Sequence, residues 1–336
     1  MRRYELVGRQ RIELRTDVPV PEPGTGEVLV KVKACTVCGR SDLVYYHYLG
    51  LRAHCAEGCF GHEISGIVES VGPRVRAVAE GDRVFIRTPL SSGYADYALA
   101  REVAVGHLPS QIPFDQGAIL QLLPLAVHAT RGVRLGDNVL IVGQGPVGLM
   151  ALQVARLRGA AFVAVTDRDP WRLERSRALR ADVARVAEPV EGNGSGAPVE
   201  NPFEEPFDVT IDAVGTPRTL QTCIDSVRHN GLVVLLGTHH VDTVVPLDLV
   251  QWEKKSLRVH SSAEPDDEAR RKALATAERL VRSNSIALEP LLTHRYPLER
   301  LQEAVDHLSA SAILSPEAAP TLPAVPPETL KVAICP

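Results

Sequence analysis

The sequence predicts an α/β protein of two domains, a β-rich first part followed by a doubly wound parallel sheet, and three observations predict it. At 336 residues the chain is longer than one hydrophobic core ordinarily serves, since single cores stop growing near ~250–300 residues. Up to about Leu123 it consists of short alternating segments cut by Gly and Pro, the pattern of strands and turns. From about Pro124 onward, continuous apolar runs alternate with helical patterns, which marks a parallel sheet covered on both faces.

In the first part, residues 28–33 and 64–71 read as strands, residues 81–86 as a turn feeding a strand, and residues 93–100 as the next strand. In the second, the run 139–142 is followed by a glycine turn and by a helical pattern through Leu149, Leu152, Val154 and Leu157. Residues 161–166, 209–213 and 232–236 read as further buried strands. Residues 191–206, rich in Gly, Asn and Pro, read as a surface loop. Residues 315–327 carry five prolines but precede a strand-like 330–334, so they read as an insertion rather than a tail.

Hydrophobic residues make up 45 % of the chain, charged residues 23 %, and the net charge is -4, values of an ordinary folded protein. There is no basic field of the kind that neutralises nucleic-acid phosphates or docks on anionic membranes, so neither is expected as a partner. No apolar run approaches the roughly 20 residues that span a bilayer, and the chain reads as cytoplasmic. Of six cysteines, Cys35, Cys38, Cys55 and Cys59 crowd beside His54, His62 and Glu63. In a reducing compartment such crowding points to metal or thiol chemistry rather than to disulfides.

Gly143, Gly145 and Gly148 lie directly after a predicted strand and open a predicted helix. A dinucleotide site needs that order: a tight turn, close backbone approach to the pyrophosphate, and close helix–strand packing, with the anion on the free N–H groups of the helix. Pro146 and Val147 complete the turn. Asp167, nineteen positions after Gly148 at the end of the next strand, can accept both ribose hydroxyls of NAD and repels the 2′-phosphate of NADP. The neighbouring Arg168 could accept that phosphate and tempers the preference for NAD.

Cys38 and His62 are of the types that ligate zinc, and a zinc ion lowers the pKa of an alcohol so that hydride can leave the adjacent carbon. The succession of Pro19, Pro21, Pro23-Gly24, residues 30–32 (VKV), Cys38-Gly39, Ser41-Asp42, Gly61-His62-Glu63 with Gly66, Val71-Gly72, residues 81–84 (GDRV) and residues 143–148 (GQGPVG) resembles the zinc-type alcohol and polyol dehydrogenases of the medium-chain dehydrogenase/reductase family. The resemblance covers nearly the whole chain. It implies a GroES-like catalytic domain formed by residues 1–123 and 293–336 around a Rossmann domain of residues 124–292, with the substrate in the cleft between them, and a homo-oligomer, either dimer or tetramer. Cys38 and His62 match two zinc ligands, and Glu63 an acid that can ligate or orient the metal. Ser41 resembles a hydroxyl that passes the substrate proton outward, and Asp42 a carboxylate that supports a ligand. Val214 and Gly237, at the ends of the third and fourth strands of the second domain, join the cofactor residues, and His239 and His240 follow the same strand end.

The chain departs from the family in three places. The family has one residue between the Cys-Gly pair and the Asp, whereas here Arg40 and Ser41 both intervene, which leaves open which side chain faces the substrate. Relatives carry a Glu, Asp or Cys ligand where this chain has Ile119, Gln121 or Leu123, depending on alignment, and only Gln121 offers an oxygen. Cys59, Cys55 and His54 are alternative donors. The lobe of four close cysteines that holds a structural zinc is missing, because residues 84–105 contain no cysteine, so no structural zinc is expected. The resemblance implies an NAD-dependent dehydrogenase acting on a small hydroxylated molecule. A zinc-free reductase of a ketone or activated alkene, or a dinucleotide-binding protein without catalysis, are the alternatives.

Overall fold

The computed structural model describes residues 1–47, 60–187, 205–237, 244–311 and 328–336. Cys55, Cys59, His54, His239, His240, the proline-rich 315–327 and most of 191–206 lie outside the described residues.

The described chain divides into two compact units, Met1–Pro124 with Pro265–Pro336, and Leu125–Glu264. In the first unit a hairpin of β1 (Arg3–Gly8) and β2 (Arg11–Arg15) precedes β3 (Glu27–Thr36), the short helix α1 (Ser41–His47), β4 (Glu63–Val71), β5 (Arg83–Ile86), β6 (Tyr97–Arg101) and β7 (Val105–His107). Helices α2 (Phe114–Ile119) and α3 (Leu122–Ala129) lead to the second unit. There β8 (Asn138–Val142), α4 (Pro146–Leu157), β9 (Phe162–Asp167), α5 (Pro170–Ala178), β10 (Val183–Val186), β11 (Phe207–Asp212), α6 (Pro217–Ser226), β12 (Val227–Leu235), α7 (Leu249–Lys255) and β13 (Arg258–Ser261) alternate. The chain returns to the first unit with α8 (Asp267–Arg282), β14 (Leu292–Pro297), α9 (Leu301–Ser311) and β15 (Lys331–Cys335).

The seven-stranded sheet of the first unit runs β14-β15-β3-β4-β5-β7, with β6 also paired to β3. The C-terminal strand β15 lies antiparallel to β3, so both ends of the chain build one sheet. Val28, Val30, Val32, Ile64, Val68, Val84 and Ile86 alternate inward from β3, β4 and β5, and Leu301, Val305 and Leu308 of α9 close over them with Val332 and Ile334. Residues 265–292, which the sequence reading groups with the Rossmann domain, fall in the first unit because α8 packs its apolar stripe of Ala273, Leu274, Ala277 and Val281 there, against β7 and residues 102–104.

The second unit is a six-stranded sheet ordered β10-β9-β8-β11-β12-β13, every neighbour parallel. Counted from β8, this is the 3-2-1-4-5-6 order of a Rossmann fold, in which ligands bind beyond the carboxyl ends of the strands where the order reverses. Here that point lies between β8 and β11. The strands are continuous apolar runs because both faces are covered, and Leu140, Val142, Ala164 and Val233 pack with Leu220 and Ile224 of α6. Among the described residues, no helix is long and apolar enough to cross a membrane.

Tyr45, Tyr46 and His47 form the buried end of α1. Tyr46 donates its hydroxyl to Asp306 at 2.6 Å, and His47 meets Gln10 at 2.9 Å and Ser309 at 3.3 Å. Polar partners on α9 and the hairpin therefore let the polar atoms of Tyr46 and His47 go inside.

Candidate active site

Strand pairing creates the first cluster. β3 and β4 run antiparallel with Thr36 opposite Glu63, so the chain leaving β3 at Cys38 meets the chain entering β4 at His62 and Glu63. One ligand atom from each of Cys38, His62 and Glu63 falls within 4.8 Å of the others. Ser41 opens α1 beside them, and its backbone amide donates to the Cys38 sulfur at 3.4 Å.

Asp42, fully buried, ties the cluster together. Its Oδ2 accepts the Cys38 amide at 3.0 Å and the Tyr94 hydroxyl at 2.6 Å. Its Oδ1 accepts the Gly61 amide at 3.0 Å and stands 3.6 Å from Nδ1 of His62. Gly61 has φ +76°, and a Cβ there would lie 2.7 Å from the Tyr94 ring, so only glycine lets the chain turn into His62 under that ring. Glu63 accepts the Thr36 hydroxyl on one oxygen and pairs with the Lys331 ammonium on the other. Lys331 opens β15, is 1 % exposed, and also donates to the Val37 carbonyl at 3.2 Å.

Charge in this pocket is matched internally. Burial works against a Cys38 thiolate, but the charge and hydrogen bond of His62 outweigh it and hold the thiol below its usual range. Burial likewise opposes charge on His62, and Cys38 together with Asp42 overcomes it, raising the imidazole well above its usual range. Asp42 is held below the ordinary carboxylate range: hydrogen bonds from His62 and Tyr94 outweigh its desolvation. A thiol so easily ionised beside an imidazole and a carboxylate is the donor set of a zinc centre.

Gln121 supplies a second test of fit. Ile119 and Leu123 are buried and apolar, whereas Gln121, also buried, donates its Nε2 to the Arg87 carbonyl at 3.0 Å. Arg87 lies one residue past the Ile64–Ile86 pair, at the level of Glu63 in the sheet. The Gln121 Oε1 is buried with no hydrogen-bond partner among the described residues. A buried, unpaired carbonyl oxygen costs ~1–3 kcal/mol, which a metal or a hydrogen-bonding ligand would recover. The residues present therefore fit a zinc ion.

The second cluster lies at the carboxyl ends of β8, β9, β11 and β12. Gly143 turns out of β8 with φ +95°, its amide bonded to the Thr166 carbonyl at 2.7 Å. A Cβ on Gly148 would overlap the Gly143 carbonyl oxygen, so this glycine lets α4 start directly against the turn. Gly145 caps α4, Pro146 is its first residue, and the first intrahelical bond runs from Leu149 to Gly145 at 3.0 Å. The amides of Val147 and Gly148 thus stand at the open N-terminus of a twelve-residue helix. Asp167 ends β9 with Oδ2 on the Gln144 amide at 2.6 Å and Oδ1 on the Asp169 amide at 2.9 Å. Each oxygen keeps a lone pair for a ribose hydroxyl. Arg168 beside it is exposed. Val214 packs on Gly143, and Gly237 lies against the Val214 backbone, so the cofactor residues read from β11 and β12 adjoin the turn.

Lys331, Tyr94 and Thr36 went unread in the sequence. Lys331 is 268 positions from Glu63 and looks like an ordinary strand residue; the one available signal was a lysine at the start of an otherwise apolar final strand.

Two protein families match the chain: the alcohol dehydrogenase GroES-like domain over residues 24–111, and the zinc-binding dehydrogenase domain over residues 146–279. Human sorbitol dehydrogenase is 31 % identical over 322 residues, spanning 86 % of this chain and 87 % of that protein. L-threonine 3-dehydrogenase of Aeromonas hydrophila is 28 % identical over 333 residues, 89 % of this chain and 95 % of that protein. The crystal structure of galactitol-1-phosphate dehydrogenase from Escherichia coli superposes over all of both chains with TM-score 0.78 at 21 % identity. With the family domains, the sorbitol dehydrogenase likeness and the two site clusters in agreement, the chain belongs to the zinc-type medium-chain dehydrogenase/reductase family of oxidoreductases.

Proposed function

We propose that this oxidoreductase interconverts a secondary alcohol and its ketone on a small polyol, cyclitol or sugar-like molecule, using NAD and one catalytic zinc. The observation that carries the reading is the thiol, imidazole and carboxylate of Cys38, His62 and Glu63 within 4.8 Å of one another. Relatives named sorbitol dehydrogenase and L-threonine 3-dehydrogenase support a hydroxylated substrate.

Cys38 and His62 would hold the zinc, with Glu63 and the Gln121 Oε1, which has no hydrogen-bond partner among the described residues, as candidate oxygen donors. When bound, zinc supplies the positive charge that favours a deprotonated alcohol, and the nicotinamide supplies the hydride acceptor. The chain itself orients and balances. Asp42 fixes the backbones that carry Cys38 and His62. Lys331 offsets the charge of Glu63. The Ser41 hydroxyl, on the residue whose amide donates to the Cys38 sulfur, is proposed to relay the alcohol proton outward. In the second unit the turn at Gly143, Gly145, Pro146, Val147 and Gly148 would cradle the pyrophosphate. Asp167 would take the ribose hydroxyls and so favour NAD over NADP, with Arg168 limiting that preference. Val214 and Gly237 would border the cofactor. No structural zinc belongs to the proposal, and a homo-oligomer, dimer or tetramer, is proposed by likeness to the family.

A panel of polyols, cyclitols and simple secondary alcohols, run with NAD and with NADP, tests the reading. Reduction of NAD by at least one polyol, faster than reduction of NADP, is the expected result. Cofactor binding without turnover on any alcohol or ketone would point to a dinucleotide-binding protein and reject it.

A further inference from the structure

Three segments far apart in the chain converge on Asp42: the Cys38 turn, the Gly61 turn, and the loop that carries Tyr94. The first two bear the proposed zinc ligands. Tyr94 bears none, yet its ring is completely buried, lies directly beneath Gly61, and makes an edge-on contact with Phe60 at 4.8 Å between centroids. The backbone repeats the link, since the Gly93 amide donates to the Gly61 carbonyl at 2.7 Å.

A ring that only filled space needs no hydroxyl, and a buried hydroxyl without a partner is costly. Here it has one partner, the Asp42 oxygen that also accepts the Cys38 amide. The other Asp42 oxygen faces His62. We infer that Tyr94 is a positioning residue for the metal centre: its hydroxyl holds Asp42 in the one orientation that serves Cys38, Gly61 and His62 together, and so sets the affinity of the Cys38–His62 pair for zinc. The inference rests on zinc being held at Cys38 and His62, as proposed above.

The geometry explains why a phenol suits this place. The Asp42 carboxylate has about four lone-pair sites, and Cys38, Gly61 and His62 address three of them. Tyr94 occupies the fourth, on the same oxygen as the Cys38 amide, so all four sites of the carboxylate are taken. Burial and the neighbouring Asp42 charge raise the phenol well above its usual range, so it stays a donor throughout the working range of pH. Partners that hydrogen-bond a metal ligand directly, as Asp42 does, typically change metal affinity about 10–100-fold when removed, so losing the group that holds Asp42 is expected at the low end of that range.

The test uses Tyr94→Phe, which keeps the ring, in the full-length protein. Zinc affinity is measured by competition with a chelating dye, and the site is also read by the visible absorption of the cobalt(II)-substituted protein. The expected results are a loss of zinc affinity of about tenfold or more, a shifted cobalt band, and NAD affinity equal to wild type. In combination with Asp42→Asn, Y94F should add nothing further, because both act through one carboxylate. Zinc affinity within about twofold of wild type, or an additive loss in the double variant, overturns the inference. If wild type itself takes up no zinc, the reading of the site fails instead, so the two failures are separable. Should Y94F not fold, hydrogen exchange in wild type decides: Cys38 and Gly61 amides protected like the core of β3 and β4 support the inference, and loop-like exchange overturns it.

Discussion

Replacing Lys331 by Met removes an ammonium group that is 1 % exposed and leaves the fully buried Glu63 without its cation. Methionine fills nearly the same volume, so the change is electrostatic rather than a cavity. Glu63 keeps the Thr36 hydroxyl, but the Val37 carbonyl loses its 3.2 Å donor. Breaking a buried ion pair from one side costs about 3–5 kcal/mol, because the remaining charge is neither solvated nor paired. In a unit of this size each kcal/mol moves the melting temperature by about 2–4 °C, so a fall of about 6–20 °C is expected. The charge of Glu63 raises the Lys331 pKa against the opposing effect of burial. Its contribution is therefore full below the unfolded lysine value of 10.5 and disappears only as pH rises through the higher folded value. The gap between wild type and K331M should accordingly stay constant across the neutral range and close in strong alkali. The assay is thermal unfolding of the metal-free protein by circular dichroism, with Glu63→Gln/Lys331→Met alongside. The double variant should regain about half or more of the loss, since no uncompensated charge remains. A K331M melting temperature within about 2 °C of wild type would refute the reasoning.

Other outcomes follow from the same geometry. Gly145→Ala adds a Cβ whose nearest neighbour is Arg172 at 3.9 Å, so it should leave the melting temperature unchanged while weakening NAD binding about tenfold or more, read by fluorescence titration; a loss of stability with unchanged NAD affinity would contradict this. Gly61→Ala forces an L-residue to φ +76° and drives its Cβ against Tyr94, and should cost about 2–4 kcal/mol in urea unfolding. His47 is held below its usual pKa by burial and by the charge of Arg9, so the stability it contributes is present above 6.5 and is lost as pH falls through its folded value. His47→Gln should therefore flatten the acid side of the stability profile relative to wild type, and parallel profiles would exclude the assignment.

The strand-turn-helix of the proposed cofactor site was legible because its signal is local. Glycines at fixed spacing, a strand before, a helix after and an acid at the next strand end are all set by one βαβ unit, and Gly143, Gly148 and Asp167 take those places. The proposed ligands Cys38, His62 and Glu63 were legible through resemblance, and β3–β4 pairing gives the physical reason they meet. Of the residues that hold them, Asp42 was legible through the same resemblance, whereas Lys331 and Tyr94 were not. Lys331 reaches Glu63 only because the last strand closes on β3, and Tyr94 reaches Asp42 only because its loop passes under Gly61. Neither relation leaves a period or a spacing in the sequence. The same holds for α8: its amphipathic pattern says that it packs, while the choice of β7 as partner depends on the tertiary fold. The burial of Tyr46 and His47 likewise depends on partners on α9 about 260 positions away.

The most direct test of the account is metal replacement followed through NADH formation. Protein stripped of metal should be inactive with a polyol and NAD, and should regain activity in proportion to added zinc up to about one ion per chain, with Cys38→Ser neither binding zinc nor turning over. Full turnover by protein carrying less than about a tenth of a zinc per chain would contradict it.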